Sequence, residues 1–158
     1  MEKAEIYKEV TEQIAAVIEG EPSVTARYAT VSCLLSLAFE HFFWTGFYVV
    51  DPHKDNELVV GPYQGTLGCL RIPFSRGVCG AAATQKRTII VEDVHAFPGH
   101  IACDSATNSE IVVPVFTPSG DLAAVLDVDS TQLSSFDSVD QHYLEAICRE
   151  LLKGARQA

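Results

Sequence analysis

Basic side chains are scarce in this 158-residue sequence: 11 Lys and Arg stand against 21 Asp and Glu, a formal net charge of −10. Nucleic acids and anionic membrane surfaces are bound through basic patches, so the composition argues against both as partners. No apolar run approaches the ~20 residues needed to cross a bilayer. The opening "MEKAEIYKEVTEQ" is charged from its second residue and does not read as a secretory signal. The sequence also lacks G-x-x-x-x-G-K-[ST], and it has no G-x-G-x-x-G after a strand, so nucleotide phosphates have no ready cradle. Internal repeats and low-complexity segments are missing too.

Disulfide frameworks and zinc clips are equally hard to find. The expected compartment is the reducing cytoplasm, where the five cysteines at 33, 69, 79, 103 and 148 need another explanation than a secreted scaffold. Cys69, Cys79, His95, His100 and Cys103 are soft donors, but their spacings contain no C-x2-C or H-x3-H clip. Metal therefore stays a minor reading, and no metal or other cofactor is expected.

What is present is a chain that is 47% hydrophobic, enough for one sizeable core. Residues 1–158 read as a single domain: N-terminal helices over 1–41, a sheet with its loops over 42–135, and a C-terminal helix over 136–158. Ile6, Val10, Ile14 and Val17 make one stripe of a helix over 3–19, and Gly20 ends it. Pro22 and Ser23 open a second helix, expected to run to about His41. "WTGFYVVD" and "LVVGPYQG" form a hairpin around a polar turn, "RIPF" is a short edge strand followed by a helical turn, and "TIIVEDV" is a further strand. "EIVVPVF" and "LAAVLDVDS" form a second hairpin, and Asp137 is placed to cap the last helix. Strands and helices do not alternate regularly, so the expectation is α+β: an antiparallel sheet with helices on one face and ligand-binding loops on the other.

The cysteines separate by context. Cys33 and Cys148 lie in apolar segments of helical period, where a thiol is a small hydrophobe. Cys69, Cys79 and Cys103 stand among glycines and short polar residues, in stretches that read as accessible loops or turns. The connection over 95–109 is long and carries Cys103, and such loops usually bind or cover ligands. Seven residues on, Glu110 stands at the mouth of a hydrophobic strand. Asp127 and Asp129 share one face of their strand, an arrangement that costs energy unless a cation binds there or the strand end reaches solvent. Trp44 and Tyr48 also share a face, which suits core packing or a cationic ligand lying against the indole.

Taken together, "WTGFY", "GPYQG", "CLRIPF", "GVCG", "EDVHAFPGHIACDS", "NSEIVVPV" and "LDVDST" followed by "FDSVD" resemble the free methionine-(R)-sulfoxide reductases, a branch of the GAF-domain proteins. The match runs from about Trp44 to Asp140. The resemblance implies that Cys103 attacks the sulfur of free L-methionine-(R)-sulfoxide and is left as a sulfenic acid. Cys69 then condenses with it to an intramolecular disulfide, which thioredoxin or a similar dithiol protein reduces. It gives Cys79 a less defined place, as a second resolving thiol or a relay. Glu110 becomes the proton donor for the departing oxygen, Asp129 its partner, and Asp127 a holder of the substrate ammonium. Trp44 and Tyr48 line the substrate site, and a homodimer follows by analogy with other GAF modules. The competing expectation is a GAF-type sensor that binds a small molecule or reports redox state without turnover, and a metal-binding regulatory domain is a third.

Overall fold

The computed structural model describes residues 1–101 and 103–156. Helix α1 (Lys3–Ile18) buries Tyr7, Val10 and Ile14, and α2 (Val24–Ala38) buries Tyr28, Val31 and Leu35. The hydroxyl of Ser23 caps α2 by accepting from the Ala26 N–H. That helix stops three residues short of His41. Phe39 turns into extended backbone and packs its ring on Tyr7 and Phe42, both at centroid distances of 4.5 Å.

Six strands follow: β1 (Trp44–Val50), β2 (Glu57–Gln64), β3 (Arg71–Pro73), β4 (Ile89–Val91), β5 (Ser109–Phe116) and β6 (Leu122–Ser130). They form one antiparallel sheet in the order β3-β2-β1-β6-β5-β4. The "TIIVEDV" segment is strand only over β4, because Asp93 caps a 3-10 turn over Val94–Ala96. Two helices remain, α3 (Gly77–Gln85) and α4 (Ser138–Leu151). The expected last helix thus ends before residue 158, and Gln157 and Ala158 lie outside the described residues. Within those residues no helix is long and apolar enough to cross a membrane.

Side-chain alternation divides the sheet into two packed faces. Phe47, Ile111, Val113, Val115, Leu126 and Val128 point toward α1, α2 and α4 and form the larger core. Each of these fully buried side chains contributes about 1.5–3 kcal/mol. The opposite face presents Trp44, Tyr48, Val112 and Val125. Loops were expected to cover it. They do so together with α3, whose Val78, Cys79, Ala82 and Ala83 are buried there.

Its small residues explain why "GVCGAAATQ" carries no helical stripe in sequence. A side chain at Gly80 would come within 2.6 Å of the Pro73 carbonyl oxygen, so α3 lies almost against the backbone of the preceding turn. The physical basis is backbone proximity, which leaves no pattern of large apolar residues to read.

One buried carboxylate ties the two ends of the chain together. Asp140 accepts from the Tyr7 hydroxyl at 2.5 Å, from Lys3 Nζ at 2.7 Å and from the Asp137 N–H at 2.9 Å, the last as part of a reciprocal cap on α4. Asp140→Ala strands the Tyr7 hydroxyl and the Lys3 ammonium and removes its half of the reciprocal cap, so unfolding stability falls by about 3–5 kcal/mol. Urea denaturation measures the loss, and an unchanged midpoint contradicts this role.

Candidate active site

The register of the three central strands assembles the site. Glu110 of β5 lies opposite Asp129 of β6, which in turn lies opposite Trp44 of β1. Asp127 lies between Val112 and Gly46. Residues two apart on a strand share a face, so Glu110, Asp127, Asp129, Trp44 and Tyr48 all meet on the side away from the larger core. They line one cavity with Cys79, Cys103, His100, Ile101 and Gly68. Alternation along single strands grouped only Asp127 with Asp129 and Trp44 with Tyr48; strand pairing brings these and Glu110 together.

The aromatic wall is built by stacking. Trp44 stacks on Tyr48 at 5.4 Å and on Tyr63 at 4.8 Å. The loop bearing Cys69 leans on this wall: the indole N–H donates to the Thr66 carbonyl at 2.8 Å, and a side chain at Gly68 would come within 2.9–3.0 Å of the Trp44 ring and the Tyr48 hydroxyl. Only glycine lets the loop sit this close.

The loop bearing Cys103 approaches from the other flank. Its ends are held by Val94 N–H to the Asn108 carbonyl and Asn108 N–H to the Ser130 carbonyl, and its middle by Gly77 N–H to the Gly99 carbonyl. Thr66 Oγ1 donates to Asp104 Oδ2 at 2.6 Å, so the residue after Cys103 is latched to the loop of Cys69. Cys69 and Cys103 form a disulfide, with Cα atoms 5.3 Å apart and a sequence separation of 34. Cys103 lies on the exposed side and Cys69 is half-buried.

Cys79 departs from its expected setting. It lies within α3, is 4% exposed, and its Sγ stands 4.0 Å from Glu110 Oε2. Burial raises the thiol well above its ordinary value, and Asp127, Glu110 and Asp129 raise it further. An accessible loop thiol it is not, since the glycine-rich stretch that suggested a loop is the close-packed helix. Cys33 is half-buried and Cys148 buried, both unpaired, as their helical settings imply.

The carboxylates carry more charge than the site balances. Among the described residues no Lys or Arg lines the cavity. Burial, followed by Asp129 and Glu110, pushes Asp127 well above the usual carboxylate range; burial and Glu110 do the same to Asp129. The Oδ1 atoms of both are enclosed and have no hydrogen-bond partner. The sequence reading missed Thr66, Asp104 and Gly68, whose roles come from loop contact and leave no periodic signal.

A GAF domain family model matches residues 34–151. The free methionine-R-sulfoxide reductase of Escherichia coli is 41% identical over 97% of this chain and 90% of its own length. The chain belongs to the free methionine-R-sulfoxide reductase branch of the GAF-domain family. GAF domain-containing protein A of Dictyostelium discoideum is 48% identical over 94% of this chain and 92% of its own. The crystal structure of the reductase from Neisseria meningitidis in complex with its substrate superimposes with a TM-score of 0.92, at 46% identity, covering 98% of this chain and 90% of that one. These two reductases match this chain over 90% of their own length, and the Neisseria enzyme shares its fold.

The raised carboxyls imply a pH dependence of the reductase fold. A carboxyl whose folded-state value is raised binds its proton more tightly folded than unfolded, so its stabilising contribution is present below the ordinary aspartate value of 3.8 and is lost as pH rises through the folded value. Asp127→Asn removes that loss. The substrate-free variant should melt above the wild type at neutral pH, with the gap closing toward pH 4; a gap of constant size contradicts the assignment.

Proposed function

We propose that the chain, working as a single GAF-like domain, reduces free L-methionine-(R)-sulfoxide to L-methionine at this cavity. Support comes above all from one observation: Cys103, disulfide-bonded to Cys69, lines a pocket walled by Trp44 and Tyr48 and floored by Glu110, Asp127 and Asp129. A ligand sensor without turnover accounts for the pocket and leaves the disulfide unexplained, and a redox sensor accounts for the disulfide and leaves the acidic, aromatic-walled pocket unexplained.

In this reading the Cys103 thiolate attacks the sulfoxide sulfur while Glu110, assisted by Asp129, protonates the oxygen. The oxygen moves from the methionine sulfur to the Cys103 sulfur as the transient bond between the two sulfurs breaks, which releases methionine and leaves Cys103 as a sulfenic acid. The Cys69 thiol then attacks the Cys103 sulfur, a disulfide forms and water departs. Two thiols are oxidised and one sulfoxide is reduced. A thioredoxin-type dithiol restores both cysteines by exchange, and the exposed side of Cys103 supports its access.

Binding follows from charge and shape. The substrate ammonium meets Asp127 and Asp129, which otherwise lack a cation, and its methyl sulfoxide lies against the Trp44 and Tyr48 rings. The first turn of α3, Gly77 to Cys79, lines the same cavity, and the backbone N–H groups of Val78 and Cys79 suit the substrate carboxylate. Cys79 works as a wall of the site in this scheme, because its thiol is enclosed beside three carboxylates and holds its proton. A cytoplasmic setting agrees with the unpaired Cys33, Cys79 and Cys148. Exposed Val17 and Leu37 on α1 and α2 support pairing into a homodimer.

The cysteine roles are separable in single turnover. Reduced Cys103→Ser should release no methionine, because a hydroxyl is far less nucleophilic than a thiolate. Cys69→Ser should release about one methionine per chain and then stop with thioredoxin as reductant, leaving a trappable sulfenic acid. Sustained turnover by Cys69→Ser would transfer the resolving role to Cys79.

A further inference from the structure

Cys79, Glu110 and Asp127 make a donor set that a substrate ammonium only partly uses. The Cys79 sulfur, one Glu110 oxygen and one Asp127 oxygen all lie within 4.8 Å of one another, and all three residues are buried. Asp127 is 4% exposed, and its Oδ1 has no partner. A zinc-type ion with bonds of 2.0–2.3 Å holds tetrahedral donors about 3.3–3.8 Å apart, so side-chain shifts of about 1 Å would close the cluster around it.

We propose that, without substrate, these three side chains bind one thiophilic divalent cation of the zinc class, and that the ion competes with methionine sulfoxide for the cavity. The competition rests on the substrate reading above; the metal site itself does not. The donors select the class of ion. One sulfur and two carboxylate oxygens suit zinc, whereas magnesium and calcium require six or more oxygen ligands. Three protein donors leave a fourth position open, and Asp129, opposite Glu110 in the strand register and two residues from Asp127, stands beside it.

Because Cys79 is outside the Cys69–Cys103 pair, the site exists in the oxidised protein as well as the reduced one. In the reduced protein Cys103 lines the same cavity, so the ion also blocks the attacking sulfur. Zinc then acts as a reversible inhibitor that substrate or a chelator removes.

Cobalt tests this without relying on activity. The oxidised protein, whose Cys69 and Cys103 cannot ligate, should take up one Co2+ per chain and show the charge-transfer absorption of a cobalt–thiolate bond, with Mg2+ causing no displacement. Cys79→Ser should lose that absorption, and Glu110→Gln, which keeps the shape of the site, should weaken cobalt binding at least about tenfold. Absence of the band in the oxidised wild type, or its survival in Cys79→Ser, overturns the metal site. Free methionine-(R)-sulfoxide should displace the ion, and Zn2+ should inhibit the reduced protein competitively. A protein that binds cobalt through Cys79 but reduces no sulfoxide overturns the reductase reading and leaves the metal site standing. Turnover that Zn2+ never slows overturns the proposed competition.

Discussion

Three carboxylates held on one buried sheet face are the constraint on which the rest of this structure depends. Their convergence follows from a register in which Glu110 opposes Asp129 and Asp127 opposes Gly46. Slipping any of these strands by one residue would send its acidic side chains into the larger core and its valines into the cavity. The cost of gathering like charges is borne by the other face, where α1, α2 and α4 seal the strands with Phe47, Val113, Leu126 and their neighbours. Stability and site are thus divided between the two faces of the same strands. A site that is electrostatically incomplete without a cation is also one that binds an ammonium group strongly.

The cysteine chemistry is added to this floor by two loops from opposite flanks. Neither loop is free to wander: Gly68 rests on the aromatic pair, Gly99 is held by the first residue of α3, and Thr66 bonds Asp104. The consequence is a pair of thiols brought together by contacts that do not require the disulfide itself. In the proposed reaction, such pre-positioning favours intramolecular resolution of the sulfenic acid over its capture by a second oxidant.

Alternation and capping signals made most of the sheet legible, along with α1, the start of α2 and the Asp137 cap of α4, because each rests on local chemistry. The features that escaped are nonlocal. The helical turn expected after the edge strand is in fact the nine-residue helix α3, whose glycine- and alanine-rich packing depends on close backbone approach, and reading that stretch as loop or turn misplaced Cys79 in an accessible loop. Asp140 looks in sequence like one more acidic residue of a helix start, yet Tyr7 and Lys3 from the far end of the chain meet it. Candidate site residues were readable one by one, through Cys103, Glu110 and the Asp127–Asp129 pair. Their grouping followed from family likeness, and the enclosure of Cys79 beside Glu110 only from the fold.

The central claim is that the acidic floor reads the free ammonium of an amino acid whose sulfoxide reaches Cys103. Turnover of free methionine-(R)-sulfoxide compared with its N-acetyl derivative, at equal concentration with the same dithiol reductant, tests that claim most directly. Acetylation removes the cation that pairs with Asp127 and Asp129, so catalytic efficiency should fall by about 10²–10⁴, corresponding to a loss of some 2–5 kcal/mol of charge pairing. Comparable efficiency on both substrates would contradict the account, because the buried carboxylates would then have no part in recognising the substrate.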